Sequence, residues 1–198
     1  NEANKAAARS LTGLEVAVGI TGSISKAVFM NAGAYDGEMS KVVTKVTVLT
    51  VNSEIKDLSR EELDFCYRHS SIQDNGSIVI SVEMQLAKGN IEEIRAKMAG
   101  FTNRRTTKQP LDIPNAGSMF RRPPGHFAGT LIEEAGLKGY TVGGAQVSTK
   151  HAGFVVNIGS ATAADVLQLI SDVQKRVYEY AGVHLEPEVR VLFKVALD

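Results

Sequence analysis

The chain has 198 residues, 43% hydrophobic and 22% charged, with 22 basic against 22 acidic side chains and a formal net charge of zero. That length can bury a real core in one domain or two small ones without a staple, and the even charge argues against a surface that coats nucleic acid or an anionic membrane. One cysteine, Cys66, excludes an internal disulfide and a cysteine-rich zinc site, and fits a reducing, cytoplasmic setting.

No apolar run approaches the roughly 20 residues of a membrane span, and the opening NEANKAAARS has no apolar signal region. The chain starts at Asn1 rather than at methionine, so it is read as processed or as a piece of something longer. Asn1 to Ser10 predicts a short alanine-rich helix. The glycine-rich tract that follows, GLEVAVGITGSISKAVFMNAGAYDGE, is too apolar for a linker, and its glycines are expected to shape buried loops. Lys41 to Val51 is rich in β-branched residues and predicts a strand. Ser59 and Glu62 have the spacing of a capping box, so a short helix is expected from there. Ile78, Ile80, Val82, Met84 and Leu86 recur with a period of two, which predicts a strand with one face buried, after a turn at Asn75 and Gly76.

Asn90 and Glu93 open a predicted helix that runs toward Arg104, before KQPLDIP forces extension. A further helix is expected over Phe127 to Ala135, stopping at Gly136. YTVGGAQVS and GFVVNIG predict short strands. Thr162 with Asp165 opens a long helix ending at Gly182, with Val166, Leu169, Ile170, Val173 and Val177 as its core face. PEVRVLFKV predicts a closing strand. With no internal repeat, low-complexity segment or linker, the class is α+β with segregated strands and helices.

Phosphate-loop, dinucleotide-fingerprint and hydrolase-elbow motifs are absent. The four histidines, His69, His126, His151 and His184, lack metal-ligand spacing, and each reads as a surface or structural residue. Asn75 to Ser77 matches a glycosylation sequon by chance, given no secretion signal. RRTTKQP has no flanking aromatics and no basic background, so no nucleic-acid partner is expected. The stretch NAGSMFRRPPGHFAG is shaped rather than floppy: Gly117, Gly125 and Gly129 permit unusual backbone geometry, while Pro123 and Pro124 hold the segment extended. Arg121 and Arg122 offer guanidinium forks suited to carboxylate or phosphate. The stretch reads either as an anion pocket with Ser118 at its edge or as a basic surface turn.

YRHSS at Tyr67 to Ser71, NAGSMFRRPPG around Ser118, GGAQVSTKHAGF at Gly143 to Phe154 and LEPEVR at Leu185 to Arg190, together with MNAGAYDGE at Met30 to Glu38, carry a further signal. In this order they resemble the motifs of the UDP-N-acetylenolpyruvoylglucosamine reductase family, in the form lacking an extra lid segment, from about Leu11 to Leu192. The resemblance implies the C-terminal part of a PCMH-type α+β flavoprotein. Residues 1–100 would be the second part of an FAD-binding domain with a mixed sheet segment. Residues 101–198 would be a substrate-binding domain, with helices on an antiparallel sheet and a closing strand that returns to the active site. The implied reaction is reduction of UDP-N-acetylenolpyruvoylglucosamine to UDP-N-acetylmuramate for peptidoglycan, by FAD with NADPH as reductant, in a cytoplasmic monomer with no metal, nucleic-acid or membrane partner.

By the same resemblance, Arg68 faces the substrate carboxylate, Ser118 protonates the enolate-like intermediate, and Glu188 assists from the other side. Ser23, Ile24, Ala32, Gly33 and Arg190 match flavin-facing positions. Tyr67, Lys108, Arg122 and Gly125 match substrate-facing ones, with Arg122 standing where another branch of the family has asparagine. The chain departs from the family's flavin loop: Gly19 to Ala27 reads GITGSISKA, with Thr21 in place of proline and Ser25 and Lys26 in place of glycines, and LEVAVG replaces LEFACG. By the resemblance, the nucleotide-loop subdomain that precedes the first helix in the family is expected to be missing from this chain. The chain alone is therefore expected to be weakly active or inactive, with a flavin-free UDP-sugar-binding fragment as the alternative.

Overall fold

The computed structural model describes residues 2–20, 22–35 and 37–191. The chain divides into two units, Asn1–Arg105 and Thr106–Asp198, each with its own hydrophobic core. The first unit runs α1 (Glu2–Ala8), β1 (Leu11–Thr12), α2 (Ile24–Phe29), β2 (Gly33–Ala34), β3 (Gly37–Glu38), β4 (Val43–Leu49), β5 (Ile55–Ser59), α3 (Ile72–Asn75), β6 (Ile78–Met84), β7 (Ala87–Lys88) and α4 (Ile91–Lys108), whose last residues enter the second unit. Single 3-10 turns sit at Glu15–Ala17 and Met39–Lys41.

Alanines at helical spacing explain α1, which buries Ala3, Ala6 and Ala7. The β-branched run of β4 puts Val43, Val46 and Val48 into a core shared with Val28, Leu58, Leu63, Ile72 and Ile94. This strand is the centre of an antiparallel three-stranded sheet, ordered β5-β4-β6. All strand pairings among the described residues are antiparallel, including those of the first unit, where a mixed segment is expected.

Two expectations for this unit need correction. The reciprocal bonds of the Ser59–Glu62 box form, with the Glu62 N–H donating to Ser59 Oγ at 3.3 Å and the Ser59 N–H to Glu62 Oε2 at 2.9 Å, yet no helix follows. Ser59 instead ends β5, and Asp64, at φ +42°, turns the chain left-handed after a single turn. In β6, Ile78 and Ile80 are 65% and 54% exposed, while Val79 and Val82 pack on the core. Thr47 pairs with Ser81 but Val48 with Val79, so Ile80 is the extra residue of a bulge, and the inward phase reverses there.

The second unit contains β8 (Asn115–Ser118), α5 (Ala128–Glu134), β9 (Thr141–Val142), β10 (Ala145–Val147), β11 (Phe154–Asn157) and α6 (Ala163–Ala181). Its strands form one antiparallel sheet, ordered β8-β11-β10-β9. Helix α6 packs against α5, β9 and β10. Its start is fixed by the full capping box of Thr162 and Asp165, and its end by Gly182 at φ +68°. Leu169, Ile170, Val173 and Val177 are buried on one face, against Leu131, Ile132, Leu137 and Val147. Beyond α6, Pro187 forms a single bridge to Phe120 in place of a regular strand, and the rest of the expected closing strand, 192–195, lies outside the described residues. Among the described residues no helix is long and apolar enough to cross a membrane.

Candidate active site

In the first unit, Tyr67 and Arg68 form the tip of a two-residue hairpin closed by the Cys66 N–H to the His69 carbonyl at 3.3 Å and the His69 N–H to the Cys66 carbonyl at 3.2 Å. Arg68 occupies φ +58°, a conformation that an L-residue holds only when its surroundings over-determine it. They do so here. Asn31, 1% exposed, donates from Nδ2 to the Cys66 carbonyl at 3.1 Å and accepts the Ser40 N–H at 2.9 Å. Gln73 Nε2 donates to the Arg68 carbonyl at 3.0 Å and to the Phe29 carbonyl at 2.7 Å, and Ser70 Oγ donates to Phe29 as well. The end of α2 and the hairpin are thereby tied together, and Arg68 Nη2 donates to the Gly33 carbonyl at 3.2 Å. Its guanidinium also lies 5.0 Å from the centre of the half-exposed Tyr67 ring.

Ala32, beside Gly33, is held at both ends: its N–H reaches the Ala27 carbonyl at 2.7 Å and its carbonyl takes the Met39 N–H at 3.0 Å. Ser23 caps α2 by accepting the Lys26 N–H at 3.2 Å, and Ile24 opens that helix. Lys26 lays its stem over Gly22, with Cδ 3.4 Å from where a side chain on that glycine would begin. Thr21 lies outside the described residues.

In the second unit, Ser118 is the exposed last residue of β8, opposite Phe154 of β11. Asn115 organises the approach to it, donating from Nδ2 to the carbonyls of Pro110 and Ile113 and accepting the Gly117 N–H at 3.0 Å. Just past Ser118, the Met119 carbonyl accepts the Glu188 N–H at 2.8 Å, Phe120 bridges Pro187, and the Arg121 N–H donates to the Glu186 carbonyl at 2.8 Å. Ser118 and Glu188, far apart in sequence, are thus carried on paired backbone. Arg122 stacks its guanidinium 4.0 Å from the Phe127 ring centre and donates from Nε to the His126 carbonyl, around the turn that Gly125 makes at φ +74°. Lys108 is the exposed last residue of α4, and Arg190 is exposed two residues beyond Glu188.

The family model described as UDP-N-acetylenolpyruvoylglucosamine reductase, C-terminal domain, matches residues 109–192. The crystal structure of UDP-N-acetylenolpyruvylglucosamine reductase from Thermus caldophilus is 39% identical, with a TM-score of 0.84 over 96% of this chain and 67% of that one. The chain belongs to the UDP-N-acetylenolpyruvoylglucosamine reductase family. Reductases of that name from Limosilactobacillus reuteri subsp. reuteri and Pediococcus pentosaceus are 58% and 57% identical over 182 residues. Those alignments take in 92% of this chain but only 61% of each relative, so the chain spans about three fifths of their length.

Within the reductase family's C-terminal domain match fall Ser118, Arg122, Gly125, Glu188 and Arg190, whereas Arg68 and Lys108 lie before it. Of the residues that hold the arginine hairpin, Asn31 and Ser70 lie within stretches that carry the resemblance and Gln73 outside them, and none was singled out from the sequence for this role. His151, read from sequence as surface or structural, is half-buried, and its ring contacts Phe154, the strand partner of Ser118. Burial holds its imidazole below the ordinary value, against its own backbone hydrogen bond. Among the described residues no cluster of three His, Cys, Asp or Glu side chains could hold a metal ion.

Proposed function

We propose that the chain carries the substrate-holding and protonating machinery of a peptidoglycan-pathway reductase that converts UDP-N-acetylenolpyruvoylglucosamine to UDP-N-acetylmuramate. The observation that supports this reading is the backbone pairing of Met119 with Glu188, which joins the segment next to Ser118 to one from the far end of the chain. A bound FAD, kept reduced by NADPH, would supply the hydride for this reaction. In this reading Ser23, Ile24, Ala32, Gly33 and Arg190 face the flavin; within the first unit Ser23 and Ile24 open α2, and the Arg68 guanidinium is fixed at the Gly33 carbonyl.

Reduction of the vinyl carbon leaves negative charge on its neighbour, which requires electrostatic stabilisation and then a proton. Arg68 is always cationic and suits the substrate carboxylate. Ser118, at a strand end held by backbone bonds on both flanks, gives the proton; a free hydroxyl is a poor acid, so fixed placement matters more than acidity. Glu188 helps an anion only while it carries or shares a proton. Tyr67, Lys108, Arg122 and Gly125 hold the UDP-sugar, with Lys108 at its pyrophosphate.

Calorimetry with UDP-N-acetylenolpyruvoylglucosamine tests the reading: the chain should bind it, and Lys108→Ala should weaken binding by about tenfold, as expected for one charge-assisted contact. No heat of binding would reject a substrate pocket. The alternative, a flavin-free UDP-sugar-binding module, is favoured by Lys26 over Gly22. Lys26→Gly uncovers the loop backbone and should raise FAD affinity about tenfold, read by quenching of flavin fluorescence. Unchanged quenching would show that the lysine is no obstacle.

A further inference from the structure

His151 packs one edge of its imidazole against two neighbouring glycines: a side chain begun at Gly129 or at Gly153 would meet the ring's Cε1 at 3.2 or 3.1 Å. Nδ1 accepts the Gly153 N–H at 3.1 Å, and the ring stands edge-on to Phe154, with centroids 5.0 Å apart and planes at 70°. The His151 N–H is itself held by Ser148 Oγ at 3.3 Å. Gly153 then passes the constraint on, because its carbonyl accepts the Met119 N–H at 2.9 Å, and Phe154 lies in register with Ser118. One glycine therefore links a titratable ring nitrogen to the backbone that carries the serine.

We propose that His151 is a positioning residue for Ser118: acting through Gly153, it fixes the end of β8 while Nδ1 is unprotonated and releases it once Nδ1 carries a hydrogen. The functional meaning of this device rests on the reading of Ser118 as proton donor; the device itself does not. A neutral imidazole that accepts at Nδ1 keeps its hydrogen on Nε2. Protonation sets two donors, Nδ1–H and Gly153 N–H, against each other, and that bond is lost. The surroundings hold the ring neutral: burial lowers its affinity for a proton, and Lys138 and Lys108 lower it further, while its own backbone bond and Glu133 act the other way. Because the folded value is depressed, the contribution is intact above the unfolded value of about 6.5 and is lost as pH falls through the folded one.

The test is nuclear magnetic resonance on the labelled full chain. Ring nitrogen shifts should show Nε2 protonated and Nδ1 bare at neutral pH. As His151 titrates, the amides of Gly153 and Met119 should lose protection together, by tenfold or more relative to intrinsic exchange at each pH. His151→Asn puts a carbonyl oxygen where Nδ1 stood and cannot titrate there, so both amides should stay protected across the range; His151→Ala should leave both open at every pH. Should His151→Ala fail to fold, the wild-type titration decides alone: a Met119 amide that stays protected while His151 becomes charged overturns the proposal, as does a hydrogen on Nδ1 at neutral pH. Absence of UDP-sugar binding by calorimetry, with the coupled loss of protection intact, would instead strike the functional reading.

Discussion

In the proposed reaction, Ser118→Ala is expected to keep the chain's affinity for UDP-N-acetylenolpyruvoylglucosamine within about threefold, while lowering whatever rate of UDP-N-acetylmuramate formation the chain sustains with FAD and NADPH in excess by about 10² to 10⁴. The asymmetry follows from what the hydroxyl does in the proposed reaction. It meets charge that exists only after the hydride has moved, so its loss falls on the step and not on binding. Its backbone makes the alanine variant clean, since Met119 and Phe154 on either side are held by main-chain bonds that a changed side chain leaves in place. Mass spectrometry of the product and calorimetry of the substrate give the two readings. Equal loss in both would mean that Ser118 only helps to hold the sugar, and no loss in either would remove it from the chemistry.

Gly144→Ala is expected to destabilise the second unit by about 3 kcal/mol or more, the upper range for forced overpacking. The turn between β9 and β10 lies against the start of α6. A methyl at Gly144 would overlap the Gly159 carbonyl oxygen and the Ala161 nitrogen, both backbone atoms that cannot step aside. Gly136→Ala is the control: its φ of +72° strains an alanine by about 1 to 2 kcal/mol, but nothing lies within 4 Å. For a unit of this size, 3 kcal/mol corresponds to a melting shift of about 12 to 24 °C. Scanning calorimetry of the full chain should therefore separate the two variants clearly, and equal shifts would refute crowding as the cause.

Much of the second unit was legible because its signals are local. Thr162, Asp165 and Gly182 bound α6 by capping chemistry, and its apolar spacing names the buried face. The first unit misled in two places where local grammar was right but context overruled it. The Ser59–Glu62 bonds are those of a helix start, yet β4 claims the preceding residues as a strand partner. The alternation through Ile80 is real in sequence, but a bulge consumes one residue and exchanges the two faces.

The candidate site was legible only through its resemblance to a family, since no spacing rule links a serine after Gly117 to a glutamate after Pro187. The residues that support it stayed hidden for a related reason: Asn31, Gln73 and His151 act by bonding to backbone, which any sequence possesses, so their partners leave no trace in residue type.

The tie between Met119 and Glu188 also has a kinetic meaning. Closing a loop that long is entropically slow unless the intervening sheet and helix have already shortened the path. The Glu188 amide is therefore expected to gain protection late in refolding, after those of β10, β11 and α6, in pulsed hydrogen exchange.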